Sequence, residues 1–392
     1  MSRWLLPIAL ALSLVALASS LLGRPDKPDT FVILGGGPPS LELYVDGKYV
    51  GGVALNGALP NFTMYDGFLW GGRLVVTTPE VGRWIYIYEL GDLSRPSAII
   101  EAPGNVSHFL YYSPDVAPVE GGVLWLAVSD FGDRKGYLCP LDLYNEVLGK
   151  CVPVGLYPHA PIYLNGDVVA PLMREPYLVV MVGGRSLRVP VLAFWPPYVN
   201  SHEALRYVFL SFHMLTTDGV YIYGEGHPIE PGYRLSPVDI DAMSLLVEMN
   251  SRGQVLAYFP TSAPPPGLPG LAVCRGKLFA TSPMEGSVYV LQAPGLKPIA
   301  VLKLGKAPWG VFANPDCSEV YVTDILGRSV YVLDVDTLKV VAEYKTHMAY
   351  PHTVIFVDSA TAKAIERFVK PNIEYNYTDL YPPVLACGDM AP

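Results

Sequence analysis

Between Ala307 and Tyr344 apolar and polar residues alternate with a period of two, in four short runs separated by turn residues. Pro308-Trp-Gly-Val-Phe-Ala313 is parted from Glu319-Val-Tyr-Val-Thr-Asp324 by Asn314-Pro-Asp316. Ser329-Val-Tyr-Val-Leu-Asp334 is parted from Val340-Val-Ala-Glu-Tyr344 by Thr337-Leu-Lys339. Period-two runs rich in β-branched and aromatic residues, bounded by Gly, Asn, Asp and Pro, predict four antiparallel strands. The stretch just upstream repeats the pattern at Gly270–Val273, Lys277–Thr281, Ser287–Leu291 and Pro298–Leu302. Further quartets begin near Phe212, His159, His108 and Phe62, the one at Phe212 carrying a long insertion from Glu230 to Asp241.

The chain ends supply one more unit. Thr30–Gly36, Leu41–Val45 and Tyr49–Leu55 read as the last three strands of a quartet, and His352–Val357 as an orphan first strand. Pairing the two ends in one sheet closes a ring and removes its exposed edges. The expected fold is therefore all-β, a single seven-bladed β-propeller over residues 30–358. A C-terminal tail, 359–392, follows, with a short helix expected over Ala360–Val369 on the outside.

Gly305-Lys-Ala-Pro308, Glu319-Val-Tyr-Val-Thr-Asp324 and Ser329-Val-Tyr-Val-Leu-Asp334 resemble the repeat of YVTN-type, lactonase-like seven-bladed propellers, with Asp where that motif usually has Asn. The resemblance covers one blade well and its upstream neighbour fairly. It implies a fold and not a function, because propellers host enzymes, binders and scaffolds.

Composition agrees with a turn-rich β protein: Pro 38, Gly 37 and Tyr 26 in 392 residues, with 16% charged. A formal charge of -9 offers no basic stripe for a nucleic acid. The first 22 residues differ from the rest. Met1-Ser-Arg3 is a basic start, Trp4–Leu22 an apolar run and Ala16-Leu-Ala18 a cleavage motif, which reads as a secretory signal peptide or an uncleaved N-terminal anchor. Residues 23–29 are a polar linker. The remainder is expected outside the cytoplasm, touching membrane only through its N-terminal segment. Five cysteines suit an oxidising compartment, with Cys139 facing Cys151 across a hairpin, Cys274 tying to Cys317 in the next repeat, and Cys387 left over.

The candidate chemistry lies in the histidines. Tyr157-Pro-His-Ala-Pro-Ile-Tyr163 and Tyr350-Pro-His-Thr-Val-Ile-Phe356 place a His after a Pro at the start of equivalent strands. Aligned blade by blade, the start of the innermost strand is Asn61, His108, His159, His213, Gly270, Trp309 and His352. His202 and His347 fall in loops entering an innermost strand, and His227 after a second strand, so the alignment gathers all seven histidines at one end of the channel. His108, His159, His213 and His352 are the central metal-ligand candidates; His202, His227 and His347 are the outer ones. Several imidazoles with no thiolate in reach suit copper above zinc, and both above magnesium or calcium. Asp130, Glu225 and Asp324 close equivalent second strands. They are expected either to accept a ligand histidine's second N–H or to cap blade turns, with calcium binding also open. Trp195, Tyr198 and Trp309 either line the channel mouth or pack between blades.

This histidine placement is similar to that of the copper–sulfide propeller of nitrous oxide reductases, and less closely to the selenium-binding, methanethiol-oxidase type. The first resemblance implies an exported copper-dependent oxidoreductase with a site of one or several coppers. The chain departs from that family in lacking an adjacent His-His pair. Cys387 and Met390 do not form an electron-entry motif, so a separate donor, a cytochrome or cupredoxin, is implied. Two other readings stay open: a non-catalytic cell-envelope propeller that binds protein or glycan, and a lactonase-like hydrolase using Glu225, His227 and Arg174.

Overall fold

The computed structural model describes residues 29–37, 39–55, 66–77, 82–106, 121–130, 132–195, 206–229, 244–261, 263, 267–373 and 375, without the side chains of 193–195, 206–209 and 228–229. Seven antiparallel sheets follow one another along the chain, the arrangement of a seven-bladed β-propeller. Blade 1 runs Asp66–Trp70, Arg73–Thr77, Trp84–Glu89 and Ala98–Glu101. Blade 2 is built on Asn105–Val106, Val123–Asp130 and Lys135–Asp142. Blade 3 comprises Ile162–Leu164, Asp167–Pro171, Tyr177–Val182 and Arg185–Pro190. Blade 4 holds Arg206–Thr217, Ile222–Ile229, Leu245–Met249 and Val255–Pro260. An extra strand, Leu192–Trp195, pairs with the beginning of Arg206–Thr217 and was not expected from the repeat. Blade 5 spans Leu271–Lys303 and blade 6 Pro308–Lys345, four strands each.

Blade 7 joins the chain ends as expected. Its inner strand Tyr350–Phe356 pairs with Phe31–Gly36, aligning Phe31 with Phe356 and Ile33 with Val354. Ser40–Val45 and Lys48–Ala54 complete the sheet. The seam holds because it is a core and not a surface contact: Phe31, Val32, Ile33 and Leu34 are all inaccessible to solvent. Burying side chains of that size stabilises by roughly 1.5–3 kcal/mol each. The helix Ser359–Glu366 is capped by Asp358, whose carboxylate accepts the Thr361 N–H at 2.7 Å. Its Ala362 and Ile365 pack with Leu41 and Leu43 of blade 7. The expectation of a short outer helix is met, with its start one residue earlier and its end three residues earlier than expected.

Adjacent blades are stitched near the channel by one side chain. In blade 5 the Thr281 hydroxyl accepts the Gly270 N–H at 3.0 Å and donates to the Trp309 carbonyl of blade 6. In blade 6 the Thr323 hydroxyl accepts the Gly310 N–H at 2.9 Å and donates to the His352 carbonyl of blade 7 at 3.3 Å. Disulfides join Cys139 to Cys151 within blade 2 and Cys274 to Cys317 between blades 5 and 6. Cys387, like residues 1–28 and the insertion 230–241, lies outside the described residues. Among the described residues no helix is long and apolar enough to cross a membrane.

Candidate metal centre at the inner-strand bulges

The innermost strands share a local irregularity. In blade 7 Thr353 pairs with Leu34 and Pro351 with Gly35, so His352 is the extra residue of a bulge. In blade 4 Met214 pairs with Glu225 and Phe212 with Gly226, and His213 is the extra residue. In blade 6 Trp309 and Gly310 together stand between the pairs Pro308–Asp324 and Val311–Val322. In blade 3 the His159 N–H reaches the Pro171 carbonyl at 3.0 Å and Pro158 bridges Leu172, one step out of register with the pair Ile162–Val169. A bulge re-aims a side chain at the cost of a ladder bond. Here it puts His159, His213, Trp309 and His352 at one structural position. Sequence alignment placed them at strand starts. His213 and His352 instead lie inside longer strands, Arg206–Thr217 and Tyr350–Phe356.

The imidazoles of neighbouring blades 3 and 4 meet. His159 and His213 have ring centroids 4.5 Å apart and are 1% and 3% exposed. Beside His213 lies Glu225, with no accessible surface. One of its oxygens, Oε1, stands 2.9 Å from His227 Nε2, and the other, Oε2, 3.7 Å from His213 Nδ1. Burial pushes the Glu225 carboxyl upward. The positive charge and hydrogen bond of His227, the charge of His213 and a hydrogen bond from Ser244 outweigh it and hold the group below its ordinary value. Glu225 is thus the carboxylate partner of histidines that was expected.

His227, expected just after the second strand, lies within it, because Ile222–Ile229 continues through two glycines. A Cβ on Gly224 or Gly226 would come within 2.7 Å or 3.0 Å of the Phe212 ring. These glycines make room for an aromatic and do not break the strand, which leaves Glu225 and His227 together on the opposite face.

On blade 7, His352 is fully buried and its Nδ1 stands 3.0 Å from Asp66 Oδ1 at the start of blade 1. Asp66 was not among the carboxylates singled out from sequence. Reading that inner strand from Phe62 made Asp66 a mid-strand residue, whereas the described strand begins with it. Trp309 is 2% exposed, packs with Ala307 and Ile325, and has its ring 6.4 Å from that of His352. It is buried against residues that flank its own blade's first two strands.

Other candidates stand apart. His347 is half exposed, 3.9 Å from Glu42 Oε2, and its ring lies 4.5 Å from that of Tyr49. His347 is thus separate from the buried histidines, and its loop is tied to blade 7 by Glu42. Asp324 does not orient a histidine: it accepts the N–H groups of Lys306, Ala307 and Gly327 at 2.8–2.9 Å. Asp130 likewise accepts those of Gly132 and Asp133. Both cap turns, since clustered backbone amides compete for the carboxylate better than one ring N–H. Arg174 stacks on the Tyr157 ring at 4.3 Å. His108, His202, Asn61 and Tyr198 lie outside the described residues, as does the Trp195 side chain. Among the described residues no group of three or more His, Cys, Asp or Glu is arranged to hold a metal ion.

No protein-family model matches the chain, and no curated protein matches it. Among solved structures it is similar to the dihydro-heme d1 dehydrogenase NirN in complex with DHE, at 14% identity over 88% of this chain and 77% of that one, with a TM-score of 0.48. It is also similar to apo AztD from Citrobacter koseri, at 12% identity over 84% of this chain and 98% of that one, with a TM-score of 0.50. At such identity the likeness to AztD is one of fold alone.

Proposed function

We propose that this chain is an exported copper-dependent oxidoreductase whose metal is held by bulge histidines at the propeller channel. The observation that carries the reading is the His159–His213 pair. Two buried imidazoles from adjacent blades, at the same bulge position, stand with centroids 4.5 Å apart. Two nitrogens each about 2.0 Å from one ion fit rings at that separation. The donor set suits copper, being imidazole with every cysteine among the described residues tied in a disulfide. Glu225, anchored on His227, gives the pair a buried negative charge that offsets the ion's own. Copper, when bound, would supply one-electron chemistry; the chain's part is to fix the ligands and keep water out. The electron donor would be a separate cytochrome or cupredoxin, and a small oxide such as nitrous oxide the first substrate to assay. On this reading the YVTN-type, lactonase-like repeat of blade 6 is scaffold. The disulfides agree with export to an oxidising compartment.

The experiment is elemental analysis of protein produced in a copper-replete host, beside a His159→Ala/His213→Ala variant of unchanged circular dichroism. Copper in the wild type and its loss in the variant are expected. Equal copper in both, or none in either, would sink the reading.

A second reading draws on the 2.9 Å His227–Glu225 pair, a carboxylate–imidazole couple suited to proton transfer in a lactonase-like hydrolase. Arg174, stacked on Tyr157, is not part of that couple. Hydrolysis of a sugar lactone that persists after copper chelation, with or without added calcium, would favour it.

A further inference from the structure

We infer that the surface where the second-to-third-strand turns of blades 5 and 6 meet docks an acidic redox protein, the separate electron donor of the oxidoreductase reading. The inference deepens that reading and rests on it. In blade 5 the turn after Lys277–Ser282 exposes 57% of Met284, and in blade 6 the turn after Glu319–Asp324 exposes 39% of Leu326. The blade 6 turn does not need its leucine. Asp324 closes it by accepting the Gly327 N–H at 2.9 Å, and Ile325, not Leu326, packs on Trp309 and Ala307. Single exposed apolar residues are ordinary, but these two belong to one surface. The Leu304 N–H donates to the Gly286 carbonyl at 2.8 Å, and a Cβ on Gly286 would come within 3.0 Å of the Gly305 carbonyl. Asp324 in turn accepts the N–H groups of both Lys306 and Gly327. The blade 5 turn, the connection 304–307 and the blade 6 turn are therefore continuous.

Four cations frame the apolar pair. Lys303 Nζ donates to the Glu285 carbonyl and the Ser287 hydroxyl, both at 2.9 Å, which holds it against the blade 5 turn. Lys345 Nζ donates to the Ser329 hydroxyl at 2.9 Å, beside the blade 6 turn. Lys306 and Arg328 are exposed between them. Two carboxylates share this surface: Glu285, which accepts the Tyr289 hydroxyl at 2.8 Å, and Glu343, paired with Lys345. Asp324 is buried among main-chain amides. The surface is thus net positive on a chain whose formal charge is -9. An apolar centre inside a polar rim is the anatomy of a protein interface. Cations in the rim call for carboxylates across it, which steer encounter and fix register. Ala307 and Ile325 pack on Trp309, so a ring of the innermost strand lies next to the surface. A redox partner docked here has that ring on the channel side of it.

The test is calorimetric titration of the full chain with an acidic plastocyanin, a small copper redox protein, at low and at physiological salt. Binding that weakens as salt rises is expected. Lys306→Glu/Arg328→Glu should weaken it about tenfold or more, and Met284→Ser/Leu326→Ser about tenfold. Lys297→Glu/Lys339→Glu makes the same change of net charge in the turns after the third strands, at the opposite end of the propeller, and should bind as wild type does. Binding that the first two variants leave intact, or that the third weakens equally, overturns the inference. So does self-association in analytical ultracentrifugation that the first two variants abolish, since the surface would then belong to a second copy of this chain. Binding to phosphatidylglycerol vesicles but not to plastocyanin overturns it as well. A chain that takes up no copper yet binds plastocyanin through this surface defeats the oxidoreductase reading and keeps the docking site. A chain that takes up copper and binds no plastocyanin defeats the docking site alone.

Discussion

Blades 4 and 6 are built on the same bulged inner strand and use the position opposite the bulge in opposite ways. In blade 6 the residue facing Trp309 and Gly310 is Thr323, whose hydroxyl links its own inner strand to that of blade 7. The next residue, Asp324, is consumed by three backbone N–H groups. Every polar atom there serves the fold. In blade 4 the residue facing His213 and Met214 is Glu225. A carboxylate cannot donate to the neighbouring blade, so the stitch is given up and a buried charge is held by imidazoles instead. A repeat protein states its own structural minimum in its regular units. Departure from that minimum, in a direction that does not help the fold, marks the place to look for function.

The largest expected effect tests the structural side of the contrast. Asp324→Ala leaves three backbone amides, two in the connection from blade 5 to blade 6 and one in the turn between the second and third strands of blade 6, without their acceptor, and an unsatisfied buried donor costs about 1–3 kcal/mol. Chemical unfolding should show a loss of about 3 kcal/mol or more, with copper content per folded chain unchanged. A loss of copper from a folded Asp324→Ala protein would erase the distinction between the two blades.

Blade 6 was legible because its four strands alternate cleanly and its turns carry Asn-Pro-Asp and Thr-Leu-Lys. The closure of the ring was legible because the chain begins with three unpartnered strands and ends with one. The bulges were not. A one-residue register slip leaves no trace in the alternation of Phe212-His-Met-Leu215, so the sequence put His213 at a strand start. Nor could the sequence reveal that Gly224 and Gly226 lie under Phe212 and keep Ile222–Ile229 extended. Asp66 escaped because its partner His352 is 286 positions away and meets it only when the ring closes.

The next effects are pH dependences of opposite sign at two buried glutamates. Glu225 is held below its ordinary value, so its pairing contributes above about pH 4.5, the unfolded value, and is lost as pH falls through the lower folded one. Glu225→Gln, which weakens a hydrogen bond to a charged group, should be about 1.5–3 kcal/mol less stable at neutral pH, the deficit shrinking below pH 4.5. Glu42, in Ser40–Val45 of blade 7, is raised instead. Its burial outweighs the Met348 and His347 N–H donations at 2.8 Å, the charge of His347 and the Tyr44 hydroxyl. Its protonated form therefore adds stability that is fully present below about pH 4.5 and lost as pH rises through the raised folded value. Glu42→Gln, a neutral isostere, should match wild type in acid and exceed it in stability near pH 8. Urea unfolding of the three proteins from about pH 4 to pH 8 reads both signs. Parallel curves for Glu225→Gln and wild type would mean that the carboxylate is not held by charge.

The smallest stability change is expected from the substitution that makes blade 4 resemble its neighbours. Glu225→Thr places in blade 4 the residue that blades 5 and 6 carry opposite the inner strand, Thr281 and Thr323. The hydroxyl can accept from one inner strand and donate to the next, and no buried charge remains to need His227. Histidine is stable as a neutral ring, so His213 and His227 lose a partner without being left as unpaired charges. Stability should stay within about 1 kcal/mol of wild type or rise, as when functional residues give way to fold-optimal ones. Copper affinity should fall about 10–100-fold because the ligand pair loses its orienting carboxylate. A stability loss as large as that of Asp324→Ala, with copper unaffected, would make Glu225 another structural carboxylate. Blade 4 would then be a variant of the repeat and not a departure from it.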